Sequence, residues 1–286
     1  MRNSNKDIID KQLGDAEIEL PKGILLWGPP GTGKTMLARA LAAKTSCPYV
    51  SFKGSELTTE FFIGSGVAKV NQAFEQAREL RDQHTQELKN QGFPDAEGTC
   101  ILFIDEFDSL AKRRAVAGGN VSDEEAKVVN TLLAELDNID KEKNRNIIVI
   151  AATNDLEALD PAAIRPGRFN RKIEVPKPQS KAARYDILEK AVRFKFGPKG
   201  YEFEKQQNSL ERLARISIDA SGADLVGILE KAVSLGYRSR RKLITFEDLM
   251  EGFQQQKFGF KSNNLSNSTE REKTCWHELS GHALVA

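Results

Sequence analysis

Several things are scarce in this sequence. Its 286 residues include three cysteines, two tryptophans and three methionines, and aromatic side chains make up 7% of it. Three cysteines (Cys47, Cys100 and Cys275) are few and odd in number, which argues against a disulfide framework and for a reducing compartment, cytoplasm or an organelle's stroma or matrix. No stretch approaches the ~18 uncharged apolar residues of a membrane-spanning helix, and MRNSNKDIID lacks the apolar centre of a signal peptide, so the chain as given is expected to be soluble. An excess of one charge is missing too. The 42 Lys and Arg face 41 Asp and Glu, and a net charge of +1 supplies no global field to attract nucleic acid or an anionic membrane. What remains is an ordinary globular composition, 40% hydrophobic and 29% charged, long enough for two domains at ~100–200 residues each.

Apolar runs that read as buried strands alternate with helical patterns. The strands are PKGILLWG (21–28), PYVSFKG (48–54), CILFIDE (100–106), NIIVIAATN (146–154) and RKIEVPKP (171–178). The helices are MLARALAAKTS (36–46), a stretch from about Val67 to about Leu88, and SDEEAKVVNTLLAELDNI (122–139), with Ser122 as N-cap. This alternation predicts an α/β fold with a parallel sheet covered by helices on both faces. After Pro178 helical patterns prevail with little strand signal, which predicts a small all-α domain. KNQGFPDAEGT (89–99) reads as a loop, QQQKFGFKSNNLSNSTE (254–270) as a polar linker, and REKTCWHELSGHALVA as the start of a helix that ends inside an apolar pattern. The short basic cluster Arg238, Arg240, Arg241 and Lys242 reads as a solvated helix end.

GPPGTGKT (28–35) fits G-x-x-x-x-G-K-[ST] between a predicted strand and a predicted helix, the context that motif requires. Gly28, Gly31 and Gly33 allow backbone N–H groups to converge on phosphate oxygens, and the following helix offers its positive end. Lys34 would reach the β- and γ-phosphates, and Thr35 would ligate Mg²⁺. ILFIDE (101–106) supplies acids at a strand tip: Asp105 to hold Mg²⁺ or its waters, Glu106 to polarise an attacking water. Asn154 ends another buried strand, where a neutral amide can orient that water. Arg165 and Arg168 flank Pro-Gly in a loop and suit stabilisation of a transferring phosphoryl group, plausibly across a subunit interface. Taken singly, the plainer readings are a glycine turn, a solvated strand end, a turn asparagine and two surface arginines. Their combination favours chemistry.

In this order, GPPGTGKT, FIDEFD, AATN, LDP-x-x-x-RPGRF and SGADL resemble the AAA ATPases. PKGILLWGPPGTGKTMLARALA, FFIGSGVAKVNQAFEQAR, SGADL and GHALVA are similar to the FtsH-type ATP-dependent proteases, over roughly residues 20–286. The resemblance implies a lead-in (1–14), a P-loop AAA nucleotide-binding domain (15–178), a helical lid (179–256), a linker (257–270) and the start of a protease-like helix (271–286). It implies ATP and Mg²⁺ as cofactors, with Gly28, Pro29, Pro30, Gly31, Thr32, Gly33, Lys34, Thr35 and Met36 along the nucleotide, and Gly222 and Ala223 near adenine and ribose. It implies a hexameric ring of this chain or close homologues, in which Arg165 and Arg168 reach the neighbour's γ-phosphate. Phe62, Ile63 and Gly64 match the pore loop that grips protein substrates; six aromatic rings would make a sequence-tolerant hold. Nucleic acid is not an expected partner, and the membrane segments of the resembled family lie upstream. RDQHTQELKNQGFPDAEG (81–98) and FKFGPKGYEFEKQQ (194–207) are longer than the family pattern, and Asn170 replaces its Asp.

The family's zinc motif is H-E-x-x-H, two His on one helical face with Glu as base. Here His277-Glu278 precedes His282 by one residue too many, and the two rings diverge by about 140° on a regular helix. Zn²⁺ is expected only if a π-bulge at Ser280-Gly281 restores the face. The expected function is an FtsH-like, ring-forming AAA ATPase that unfolds or threads proteins. The alternatives are an ATP-dependent zinc metalloendopeptidase in the full-length protein and a nucleotide-binding scaffold subunit of a mixed ring.

Overall fold

The computed structural model describes residues 23–58, 65–110, 123–138, 144–165, 168–169, 171–204 and 208–259. Contacts divide the chain into two compact units at Lys177–Pro178.

The first unit is a five-stranded parallel sheet in the order β2-β3-β4-β1-β5. Its strands are β1 (Gly23–Trp27), β2 (Tyr49–Lys53), β3 (Cys100–Asp105), β4 (Ile147–Thr153) and β5 (Arg171–Glu174). The helices are α1 (Lys34–Thr45), α2 (Gly54–Thr58), α3 (Ser65–Asn90) and α4 (Asp123–Asp137). Alternation along the strands sorts side chains onto two faces. Leu26, Ile101, Phe103, Ile150 and Ala152 meet Ala38 and Ala42 of α1, whereas Leu25, Leu102, Ile104 and Val149 meet Phe74, Ala77, Leu132 and Leu136 of α3 and α4. Burial on both faces is why the central strands read as unbroken apolar runs. Each such Leu, Ile or Phe contributes roughly 1.5–3 kcal/mol. Cys47 and Cys100 are free thiols belonging to opposite faces, and burial pushes the Cys100 thiol up to about 11.

Boundaries differ from the pattern in physical ways. Helix α3 runs on to Asn90, more than three turns past Ala77, the last residue of its buried stripe, and the chain then folds back onto it: the Gly98 N–H donates to Thr85 Oγ1 and the Thr99 N–H to His84 Nδ1. The five residues of α2 carry too little period to be read. The expected Ser122 cap lies outside the described residues.

The second unit holds α5 (Lys181–Ala191), α6 (Ser209–Ile216), α7 (Gly222–Arg238) and α8 (Phe246–Phe258), around a core that includes Leu188, Phe196, Leu213, Leu225, Ile228, Leu229 and Leu249. It also holds a two-stranded parallel pair, β6 (Glu202–Phe203) with β7 (Leu243–Ile244). Two-residue strands have no readable alternation, so the sequence shows only helices there. Among the described residues, no helix is long and apolar enough to cross a membrane.

Candidate functional site

All five strands of the first sheet run the same way, so their C-terminal ends share one edge. That edge gathers the loop after β1, the acids ending β3 and Asn154 after β4, the usual ligand position of an open parallel sheet.

The loop is shaped by close approach. Gly28 has φ 142°, and a Cβ there would lie 2.4 Å from the Val175 carbonyl oxygen. Gly33, at φ 95°, turns the chain into α1. It gives α1 no side-chain cap, and no acid stands in the first turn, so the opening N–H groups and the positive helix end are left for an anion. Thr32 Oγ1 ties the loop by donating to the Pro29 carbonyl at 3.0 Å, while Pro30, Gly31 and Met36 are exposed. A cleft of about 410 Å³ at this edge is lined by Trp27, Gly28, Pro29, Asn154, Asp155 and Glu174 among others.

Lys34 is buried and donates to the carbonyls of Gly28 (2.7 Å) and Pro29 (2.9 Å) and to Asn154 Oδ1 (2.8 Å). Burial lowers its pKa, against the charges of Asp105 and Asp108. Asn154 thereby keeps its amide N–H groups for other acceptors. Thr35 Oγ1 donates to Asp105 Oδ2 at 2.8 Å, joining α1 to the tip of β3. A hydroxyl and a carboxylate are hard oxygen ligands of the kind Mg²⁺ takes with phosphate, so these residues fit that ion. Among the described residues, no cluster of three His, Cys, Asp or Glu suggests another metal centre.

Glu106 sits at φ 51°, a left-handed conformation that costs a non-glycine residue about 1 kcal/mol. What holds it there is local. Its carbonyl accepts from the Ser109 N–H and hydroxyl, and its own N–H donates to Asp105 Oδ1. Its carboxylate accepts a 2.5 Å hydrogen bond from Ser55 on α2. Gly54 permits this packing, because a Cβ there would meet the Glu106 carbonyl oxygen at 2.6 Å. Sequence reading missed Ser55. Its only signal was the K-G-S turn after a predicted strand, which says nothing of a carboxylate 51 positions away.

The two loop arginines are not alike. Arg168 forks onto Asp137 at the end of α4, with Nε to Oδ1 at 2.7 Å and Nη2 to Oδ2 at 2.8 Å, and donates through Nη1 to the Ala162 carbonyl. That hydrogen bond to Asp137 raises its pKa and keeps it charged. Arg165 is exposed, and among the described residues it makes no hydrogen bond or ion pair through its side chain.

The family described as "ATPase family associated with various cellular activities (AAA)" matches residues 24–177. The chain belongs to the AAA ATPase family. Its first unit is the AAA domain, a parallel sheet with helices on both faces, and the second is mainly helical, as expected from the sequence. Over more of its length the chain is similar to proteins named ATP-dependent zinc metalloprotease FtsH. It is 39% identical to one from Conexibacter woesei (93% of this chain, 36% of that protein), 38% to one from Acaryochloris marina (93% and 37%) and 38% to one from Caldicellulosiruptor bescii (98% and 42%). The chain thus spans about two fifths of the length of these curated relatives, and its likeness is to the ATPase portion of an FtsH-type protein.

Three further groups of residues were expected from the sequence. Gly222 and Ala223 open α7 in the second unit, behind Ser221 as N-cap. Phe62, Ile63 and Gly64 lie outside the described residues, as do His277, Glu278 and His282.

Proposed function

We propose that this chain hydrolyses ATP at the C-terminal edge of its first sheet and uses the cycle to unfold or thread proteins through a ring of six copies or close homologues. The observation that carries the reading is the Thr35–Asp105 hydrogen bond, which sets the anion-favouring start of α1 beside the strand tip that bears Glu106. In this reading Lys34 and the opening N–H groups of α1 bind the β- and γ-phosphates. Thr35 and Asp105 hold Mg²⁺, which when bound offsets phosphate charge. Glu106 takes a proton from the attacking water, and Asn154 orients that water through its free amide N–H groups. Arg165, exposed on its loop, stabilises charge at the neighbouring subunit's γ-phosphate, with Arg168 beside it. Gly222 and Ala223 contact adenine and ribose, and Phe62-Ile63-Gly64 grips the substrate. The family relationship supports ring assembly and protein substrates; the cations and glycines of the edge support nucleotide binding. In the test, a fluorescent protein with an unstructured tail is incubated with the assembled protein and ATP. ATP-dependent loss of fluorescence is expected, absent in Glu106→Gln. ATP hydrolysis with no unfolding of any tailed substrate would leave an ATPase without this work.

A second reading follows from the relatives, whose names describe zinc metalloproteases. It would place Zn²⁺ on His277 and His282 of the full-length protein, and it is tested by zinc content. Stoichiometric zinc lost on His277→Ala favours it; no zinc removes it.

A further inference from the structure

The second unit carries a basic surface that includes none of the residues assigned above to ATP turnover. A π-helical turn (Val192–Phe196) follows α5, and a 3-10 turn (Gly197–Lys199) leads into β6. This segment belongs to the stretch that is longer than the family pattern. It packs beside the turn from α7 into β7. The Glu202 N–H donates to the Lys242 carbonyl at 3.1 Å, and a Cβ on Gly200 would lie 3.2 Å from Lys242 Nζ. Lys195 bonds Glu230 on α7, fixing the turn along that helix. The basic cluster that reads in sequence as a solvated helix end is therefore joined to a second basic segment.

The joined surface is rich in cations without acid partners. Arg193, Lys199, Arg238, Arg240 and Lys242 are all exposed, and among the described residues none makes an ion pair. Lys195 and Arg241 are neutralised by Glu230 and Asp248. The remaining acids on the same elements are Asp186, Glu189, Glu202, Asp224, Glu247 and Glu251, of which Asp186 pairs with Lys190 and Asp224 belongs to the α7 cap. Two large aromatics are exposed on the same segments: Phe194 at 68%, with the Arg193 guanidinium 5.1 Å from its ring centre, and Tyr237, next to Arg238 in sequence, at 72%. Arg240 is held at φ 54°, so an arginine persists where glycine would be the relaxed choice.

We propose that this face docks an acidic, extended stretch of polypeptide that carries apolar side chains between its carboxylates. Charge complementarity supplies the attraction, with Arg193, Arg238 and Arg240 suited to fork onto carboxylates. Phe194 and Tyr237 take the apolar side chains. The cations are confined to two adjacent turns, a short track for a nucleic-acid backbone, and the exposed aromatic rings suit apolar side chains set between carboxylates. The proposal goes beyond ATP hydrolysis and stands apart from it.

The test is fluorescence anisotropy with a labelled Glu- and Leu-rich peptide, using the assembled protein. Expected are saturable binding that weakens as salt rises from 50 to 300 mM (about twofold in Debye length) and a loss of affinity of about tenfold in Arg238→Glu/Lys242→Glu. Arg240→Gly, which relaxes the backbone while removing one cation, should weaken binding and leave the melting temperature unchanged or higher. ATP turnover without peptide should stay at the wild-type rate in both variants, which separates failure of this surface from failure of the ATPase. No salt-sensitive binding, or equal affinity in wild type and variants, would overturn the proposal. So would binding of a single-stranded oligonucleotide or a phosphatidylserine vesicle in place of the peptide.

Discussion

Helix α1 in the first unit and helices α7 and α8 in the second begin from sequences of opposite character. Ser221 and Asp224 cap α7 reciprocally, and Thr245 and Asp248 do the same for α8, so two N–H groups at each start are satisfied by the helix's own opening side chains. Helix α1 starts at a glycine, without a capping side chain and without an acid in its first turn. Two of its neighbours are also costly: Lys34 is buried with a lowered pKa, and Glu106 has a left-handed backbone. The capping side chains of α7 and α8 thus serve the stability of the second unit, whereas the start of α1 leaves donors open beside a buried ammonium and a left-handed acid. That contrast locates the chemistry.

The predictions press on this contrast. Lys34→Ala replaces the buried ammonium by the best helix former, so the melting temperature should hold while ATP turnover falls by about 10²–10³; steady-state phosphate release and thermal unfolding read the two halves. Arg165→Ala should cut turnover on the order of 10²-fold or more and leave stability alone, since among the described residues that side chain makes no bond. Arg168→Ala should lower both turnover and stability, the latter by roughly 1 kcal/mol from loss of the Asp137 fork. Ser55→Ala should lower kcat about fivefold with KM for ATP unchanged, and Ser55→Thr should restore it, if the hydroxyl fixes the Glu106 carboxylate.

The smallest expected effect is on the capped side. Burial pushes the Asp248 carboxyl up, but the Arg241 fork and the Thr245 N–H and hydroxyl prevail and hold it below the ordinary 3.8. A lowered carboxylate pKa stabilises the fold above the unfolded value and loses that contribution as pH falls through the folded one. The wild-type advantage over Asp248→Asn in urea unfolding, about 1 kcal/mol, should therefore be full at pH 6 and shrink below about pH 4. ATP turnover at pH 7 should be alike in both.

Much of this contrast was legible before any coordinates. GPPGTGKT names the uncapped start because glycines and a lysine in that order have one common use, whereas the reciprocal caps opening α7 and α8 were seen only in the structure. The unbroken apolar run of β3 announces burial on both faces. Other features escaped because they are properties of space. Ser55 meets Glu106 only because β2 and β3 are neighbours in register, Lys53 beside Asp105. The fork of Arg168 onto Asp137 crosses 31 positions, a separation at which no local pattern announces it. Strands β6 and β7 are too short to carry a pattern, yet they bring two basic segments together.

The central claim is that the carboxylate of Glu106 works on ATP at this edge, and Glu106→Gln tests it most directly, because the amide keeps the size of the side chain and its capacity to accept from Ser55. Binding of a fluorescent ATP analogue and single-turnover hydrolysis should be measured on the same preparation. Retained binding with hydrolysis reduced by about 10²-fold or more is the result expected of a lost base. Retained binding with undiminished hydrolysis would contradict it.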